Sequence, residues 1–114
     1  MAKFIDIISP IYQELISRCE RRKISVNLDF QNITIRLSPE DVVKITTFYK
    51  TELKRALKLC KSGDKITLSQ SENRFSVKNS SHTTLDAETI EKLRASGHEV
   101  RARFGYDTII SIKI

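Results

Sequence analysis

The sequence predicts one α+β domain: a two-layer α/β sandwich in which a mixed, mostly antiparallel sheet is covered on one face by about three helices. The chain has 114 residues, a length that suits a single domain over residues 1–114. Hydrophobic residues make up 39% and charged residues 30%, as in ordinary globular proteins with one core. Segments with helical apolar spacing are interleaved with segments in which apolar and polar residues alternate. The resulting order is helix, two strands, long helix, two strands, short helix, two strands, which predicts the sandwich.

The first third of the chain predicts a helix and two strands. Asp6 is suited to cap the helix, and Pro10 falls in its first turn, where a missing N–H is tolerated best. The basic residues at 21–23 suit the negative end of the helix dipole, so we expect the helix to end there. Apolar and polar residues then alternate over 24–30 and over 33–37, and this alternation predicts two strands.

The clearest local signal marks the start of the long helix. Ser38-Pro39-Glu40-Asp41 combines a capping serine, a proline at the first helical position and two acids in the first turn. We expect this helix to run to Ser62 and to be closed by Gly63. Its predicted buried stripe consists of Val42, Ile45, Tyr49, Leu53, Ala56, Leu57 and Cys60.

The rest of the chain predicts two hairpins separated by a short helix. The first hairpin has strands over 65–69 and 74–79, with a turn at 70–73. The short helix covers 86–95 and is ended by Gly97. The last two strands are predicted over 99–104 and 108–114.

Charge and cysteine content restrict the class of protein. The net charge of +6 and the pI near 9.5 favour an anionic partner, such as nucleic acid, a phosphate group or an acidic protein face. A solvated basic surface without a partner explains them equally well. Cys19 and Cys60 fall on apolar helix positions, so we expect buried, reduced thiols. The sequence has no apolar run of membrane-spanning length and no signal-peptide pattern, which favours a cytoplasmic protein that does not bind membranes.

Several phrases, in order over essentially the whole chain, resemble the C-terminal ATP-binding domain of sensor histidine kinases, in the GHKL superfamily. They match the entry to that domain, the turn before its main helix, the N-box helix with the strand after it, and the terminal hairpin. The phrases are Phe4-Ile5-Asp6, Glu20-Arg21-Arg22-Lys23-Ile24, Leu37-Ser38-Pro39-Glu40-Asp41-Val42, Leu53-Lys54-Arg55-Ala56-Leu57-Lys58, Ser62-Gly63-Asp64-Lys65-Ile66 and Gly105-Tyr106-Asp107-Thr108-Ile109-Ile110. The resemblance implies the histidine-kinase ATP-binding fold.

The N-box departs from the family pattern where that pattern binds magnesium. The resemblance implies an asparagine ligand just before the N-box alanine, but this chain has Arg55 there and Thr51 one turn earlier. A guanidinium has only donors and stays protonated, so it cannot ligate a metal. Lys58, one turn further on, is a third position of the altered pocket.

The nucleotide loop and lid also depart from the pattern. The resemblance implies an aspartate that reads adenine, followed by two glycines, and the matching positions here are Asn79, Ser81 and Thr83. A β-branched threonine suits neither an unusual backbone angle nor close approach of a ligand. The glycine-rich lid is missing from the sequence, whose three glycines lie elsewhere. We therefore expect a domain that is not an enzyme and has no cofactor and no metal.

Other chemistry has little support in the sequence. There is no nucleophile elbow and no metal-ligand cluster, and neither His82 nor His98 is assigned a role. A basic face of the long helix is the sharper candidate for binding, although a solvated outer surface explains the same spacing. It comprises Lys50, Lys54, Lys58 and Lys61, with Arg55 beside them.

Two functional interpretations remain. The favoured one is a degenerate histidine-kinase-like domain that acts as a protein-interaction or regulatory module in signalling, with a signalling protein or a second copy of itself as partner. The alternative is a basic domain that binds nucleic acid or phosphate through the face formed by Lys50, Lys54, Arg55, Lys58 and Lys61. A third hypothesis makes the chain a fragment of a longer protein whose upstream helices carry a phosphoacceptor.

Overall fold

Helices and strands follow in the predicted order, apart from an additional two-residue strand before the first helix, in the computed structural model, which describes residues 2–30, 34–80, 85–102 and 107–114. The described helices are α1 (Phe4–Arg21), α2 (Pro39–Leu59) and α3 (Ala87–Ala95). The described strands are β1 (Ala2–Lys3), β2 (Ser25–Phe30), β3 (Thr34–Ile35), β4 (Lys65–Ser71), β5 (Arg74–Ser80), β6 (Glu99–Ala102) and β7 (Asp107–Lys113).

One mixed sheet has the order β2-β4-β5-β7-β6. β2 runs parallel to β4, while the pairs β4–β5, β5–β7 and β6–β7 are antiparallel. A parallel neighbour requires a crossover connection, and α2, between β2 and β4 in the chain, supplies it. β1 and β3 pair separately as a small antiparallel ribbon. The predicted α+β class with a mixed, mostly antiparallel sheet is confirmed.

The core lies between this sheet and the helices. Register aligns Leu68 with Val77 and Val77 with Ile110, and all three side chains are buried on the same face. α2 contributes the buried Tyr49, whose hydroxyl donates to the Ser69 carbonyl at 2.6 Å. Side chains alternate between faces along a strand, so the opposite face carries the polar residues of the same strands.

Local capping explains where α2 begins. The Ser38 hydroxyl accepts from the Asp41 N–H at 3.1 Å, and the Asp41 carboxylate accepts from the Ser38 N–H at 3.1 Å. This reciprocal capping box satisfies two donors that a helix start leaves free, and Pro39 occupies the first helical position. The predicted helix start is confirmed.

The start of α1 differs from the prediction. The helix begins at Phe4, directly after β1, so Asp6 lies inside the first turn rather than capping it. Pro10 consequently lies in the helix interior, beyond the first turn. The reason is the pairing of Ala2 with Ile35, a two-residue ribbon too short to leave a periodic signal in the sequence.

The end of α2 also differs. The helix stops at Leu59, and Cys60 is an extended C-cap with φ −75° and ψ 144°, so Ser62 lies outside it. Gly63 adopts φ +94° in the turn that leads to β4 and does not cap the helix. Arg22 explains the earlier end, because its guanidinium donates to the carbonyls of Leu57 at 2.7 Å and Cys60 at 2.8 Å. A distant side chain thus satisfies carbonyls that a helix end leaves free.

Strand lengths shift by a few residues. β3 covers only Thr34–Ile35 of the predicted 33–37, and β4 and β5 extend to a tight turn at Glu72, where φ is 54°. β6 ends at Ala102; the predicted residues 103 and 104, and the turn after them, lie outside the described part of the chain.

The predicted short helix is confirmed: Asp86 caps it and Gly97 follows its end with φ +89°. No helix of the described residues has the combined length and apolar character needed to cross a membrane.

Candidate functional site

The central feature of the site is an ion pair inside α2. Glu52 has a side chain that is 2% exposed, and Arg55, three residues on, is 29% exposed. The Arg55 Nη1 donates to both carboxylate oxygens of Glu52, at 2.8 Å and 2.5 Å. A buried carboxylate needs such a partner, since an uncompensated charge in the interior is costly. The guanidinium is therefore engaged within the helix.

A small cavity lies beneath this pair, where α2 meets the sheet. Its volume is about 10 Å³, which is enough for about one water molecule. Its lining residues are Glu52, Arg55, Ala56, Leu59, Val77, Asn79, Leu85, Thr108 and Ile110. Pockets that hold small ligands are usually ~300 Å³ or larger, so this cavity between the described residues is far below that size.

Asn79 forms the polar end of the small cavity. Its side chain is buried, and its Oδ1 accepts from the Cys60 thiol at a sulfur–oxygen distance of 3.0 Å. Its Nδ2 is buried without a hydrogen-bond partner among the described residues. Burial raises the pKa of the Cys60 thiol to about 11, and nearby Asp64 adds to this effect, so the thiol is a proton donor at neutral pH. Both cysteines are buried and free, as the sequence predicted.

A wider groove of about 500 Å³ opens on the other side of Arg55, between α2 and the segment from the end of α3 to β6. The ring of Phe48 stacks on His98, with centroids 5.6 Å apart and an interplanar angle of 27°. The His98 Nδ1 is buried and has no hydrogen-bond partner among the described residues. Thr51 and Lys44 line the same groove.

The lysines predicted to share one face occupy different surroundings. Lys54 and Lys58 line a groove between α1 and α2, beside Arg18 and Arg21. Lys50 lies one groove away, near Asp6 and Glu14 of α1. Lys61 is exposed after the end of α2.

The structure thus brings only some of the predicted site residues together. Thr51 and Arg55 line the groove beside α3, and Arg55 and Asn79 line the small cavity. Lys58 lies apart from them, in the groove between α1 and α2. Ser81 and Thr83 lie outside the described residues.

Sequence reasoning missed Glu52 and the α1 arginines. Glu52 is a polar residue amid the apolar positions of α2, three residues before Arg55; this spacing is the signal that could have identified the pair. Arg18 and Arg21 belong to a different helix from the lysines, and only the helix packing places them together. The described residues contain no cluster of three or more histidine, cysteine, aspartate or glutamate side chains suited to a metal ion.

Comparison with solved structures gives the same fold. The chain is similar to the nucleotide-free catalytic domain of the histidine kinase ThkA, with a TM-score of 0.72, 16% identity, and coverage of 98% of this chain and 93% of that one. It is similar to the histidine kinase AdeS of Acinetobacter baumannii, with a TM-score of 0.69, 15% identity, and coverage of 97% and 64%. It is also similar to ThkA in complex with the response regulator protein TrrA, with a TM-score of 0.67, 18% identity, and coverage of 98% and 40%.

These similarities confirm the fold of a histidine-kinase catalytic domain that the sequence predicted. No protein-family model matches the sequence, and no curated protein matches it. The chain spans less than two thirds of the AdeS chain and 40% of the ThkA chain in the complex. At these identities the comparison establishes the fold, and the function has to be argued from the residues of the site.

Proposed function

We propose that this domain is a non-catalytic member of the histidine-kinase-like fold, acting in the cytoplasm as a protein-interaction or regulatory module in signalling. The observation that carries the proposal is the ion pair between Arg55 and the buried Glu52. Arg55 stands where the resemblance implies a magnesium-binding asparagine. The position at which the family pattern binds a metal cation therefore carries a positively charged side chain instead.

The charges around Arg55 argue against a magnesium site. Mg²⁺ requires oxygen ligands in near-octahedral geometry, and the guanidinium offers only donors. Glu52 has suitable oxygens, but both already accept from the Arg55 Nη1. A metal at this point would have to displace an internal partner from a buried carboxylate and would lie beside the displaced positive charge.

The small cavity at Asn79 supports the same conclusion. A nucleobase needs space as well as a hydrogen-bonding group, and the cavity that Asn79 lines with other described residues has a volume of only about 10 Å³. The Asn79 Oδ1 already accepts from the Cys60 thiol. The residues at the metal position and the base position are thus each engaged with an internal partner, Arg55 with Glu52 and Asn79 with Cys60.

A protein partner fits the remaining observations. One structure with the same fold is a histidine kinase in complex with a response regulator protein, and we extend that kind of partner to this chain as part of the proposal. The partner is a signalling protein or a second copy of the domain. The net charge of +6 favours a partner with an acidic face over self-association.

The test is titration calorimetry of the domain with ATP and Mg²⁺, beside a nucleotide-binding histidine-kinase catalytic domain as positive control. We expect binding heat only from the control protein. The variant Arg55→Asn, which supplies the asparagine that the resemblance implies, should also give no heat, because the aspartate and the two glycines that the resemblance implies for the nucleotide loop are still replaced by Asn79, Ser81 and Thr83. Saturable, magnesium-dependent heat from the unmodified domain would refute the proposal.

A second candidate function is binding of nucleic acid or phosphate. Lys54 and Lys58 favour it, because both are exposed and neither forms an ion pair with a described residue. Phosphate-driven binding weakens steeply as the salt concentration rises, so a salt titration of oligonucleotide binding tests it. Binding that is absent at low salt would eliminate this candidate.

A further inference from the structure

The groove between the C-terminal halves of α1 and α2 concentrates positive charge on a concave surface. It has a volume of about 620 Å³ and is lined by Arg18, Arg21, Arg22, Lys54, Leu57 and Lys58. Every charged side chain in its lining is a cation. We call this surface the basic groove, with Arg18 and Arg21 on one wall and Lys54 and Lys58 on the other.

Four of these cations are available to a partner. Arg22 is not, because its guanidinium donates to the carbonyls of Leu57 and Cys60 and joins the ends of the two helices. The other four side chains are exposed, and none forms an ion pair with a described acid. Arg21 makes only a 3.4 Å bond to the Ser17 carbonyl of its own helix.

Helix stability does not account for this arrangement. Cations in the last turn of a helix interact favourably with its dipole, which explains Arg18, Arg21 and Lys58 individually. Lys54 lies before the last turn of α2, and it follows Lys50 and precedes Lys58 at intervals of four residues. Like charges at this spacing destabilise a helix. The fold thus places four unpaired like charges around one groove, an arrangement that a bound anionic group would stabilise.

The floor of the basic groove indicates what kind of anion fits. Leu57 lies at the floor, and the alkyl stems of the arginines and lysines extend the apolar surface around it. None of the described residues that line the groove is aromatic, so they offer no platform for stacking nucleobases. An apolar floor between cationic walls is complementary to an amphipathic helix that carries an apolar side chain between acidic ones.

We infer that the basic groove binds an acidic amphipathic helix of a partner protein. An apolar side chain of that helix packs on Leu57, and its carboxylates pair with Arg18 and Arg21 on one wall and Lys54 and Lys58 on the other. This inference rests on the proposed function as a protein-interaction module and names the chemistry of its partner. A second copy of the chain is disfavoured as the occupant because each copy carries a net charge of +6.

The probe is a fluorescein-labelled synthetic helical peptide in which one leucine has, on each side of it on the helix surface, a pair of glutamates spaced four residues apart. The peptide is titrated with the folded domain, and binding is followed by fluorescence anisotropy. We expect saturable binding, with amide chemical-shift changes confined to the basic groove. Lys54→Glu/Lys58→Glu should weaken binding about tenfold or more, since both contacts become repulsive. Lys54→Gln/Lys58→Gln, which removes the charges without reversing them, should weaken binding in the same direction.

The matched control is Lys44→Glu/Lys65→Glu. Both residues are exposed, lie outside the basic groove and form no ion pair with a described acid, and the change in net charge is identical. It should change binding by less than about twofold at physiological salt, where distant charges are screened. Circular dichroism confirms that each variant is folded.

Three outcomes would overturn the inference. The first is that the peptide does not bind, and the second is that the double variants inside and outside the groove lose the same amount of affinity for it. The third is that oligothymidylate binds to the groove more tightly than the peptide does. The calorimetric test with ATP is separate. If neither the peptide nor ATP binds, the basic groove has failed as a docking site while the non-catalytic proposal stands. If ATP binds with magnesium, it is the proposed function that has failed.

Discussion

Replacing Arg55 by alanine tests whether the ion pair with Glu52 is as internal as the structure indicates. The substitution removes the only described partner of a carboxylate whose side chain is 2% exposed. The carboxylate cannot turn to solvent easily, because Glu52 lies among the buried residues of α2 that face the sheet. We therefore expect a loss of folding stability far above that of an ordinary surface arginine.

The magnitude follows from the burial of the two side chains. Removing one member of a fully buried ion pair costs about 3–5 kcal/mol. Arg55 is itself 29% exposed, so water can enter the space that it leaves, and we lower the expected cost to about 2–4 kcal/mol. For a domain of this size a loss of 3 kcal/mol lowers the melting temperature by about 10 °C or more.

Urea unfolding at neutral pH, followed by circular dichroism, measures this loss. Lys54→Ala is the control, since Lys54 is adjacent, exposed and without an ion pair to a described acid; it should cost less than about 0.5 kcal/mol. The double variant Glu52→Leu/Arg55→Leu removes both charges and should be within about 1 kcal/mol of the unmodified protein, or more stable. A cost below about 1 kcal/mol for Arg55→Ala would show that Glu52 is solvated and would refute this reasoning.

Two further predictions concern the end of α1 and the buried thiol. Lys23 has φ 56° in a Schellman motif, where the Ile24 N–H donates to the Cys19 carbonyl at 2.8 Å. Because glycine adopts a positive φ without strain, Lys23→Gly should stabilise the domain by about 0.5–1 kcal/mol, measured by urea unfolding. Because burial raises the pKa of Cys60 to about 11, this thiol should react slowly with a thiol reagent at pH 8. The unfolded thiol ionises at lower pH, so the stability contributed by the protonated thiol should be lost as pH rises from about 9 through about 11.

Each of these two predictions has a matched control. Lys61 does not have a positive φ, so Lys61→Gly should give no gain, and an equal gain would mean that the backbone strain at Lys23 is irrelevant. Cys60→Ala should reduce the alkaline loss of stability without abolishing it, since burial also raises the pKa values of Cys19 and Tyr49. Fast modification of the native Cys60 thiol at pH 8 would contradict the assignment of this thiol as a buried proton donor.

Much of the fold could be predicted because helix caps and strand patterns depend on residues that are close together in the sequence. The capping box at Ser38 and the alternating apolar residues of the strands depend on neighbours close in sequence. The predictions were wrong where the bounds of a helix or strand depend on a contact between residues far apart in the sequence. β1 exists through its pairing with β3, and the end of α2 is fixed by Arg22, which lies 35 residues before Leu57.

The candidate site was predicted less completely for the same reason. Arg55 could be identified as incompatible with a magnesium ligand from its chemistry alone. What Arg55 contacts could not be deduced in that way, because the sequence interpretation treated it as a member of the lysine face. That face is divided in the structure: Lys50 lies near acids of α1, whereas Lys54 and Lys58 lie near its arginines. The distinction depends on the packing of α1 against α2, which periodicity does not determine.

The two cationic features of α2 have different roles, although Lys54 and Arg55 are adjacent in sequence. Arg55 faces a buried carboxylate, and its charge is neutralised within the domain. Lys54 points to the basic groove, where the described residues provide no acid to neutralise it. A charge that is paired inside the fold is not accessible to a ligand, whereas a cluster of charges that the fold leaves unpaired is available for binding. Under the proposed function, the position where the resemblance implies a magnesium ligand has a structural role, and the proposed binding surface lies on a neighbouring face of the same helix.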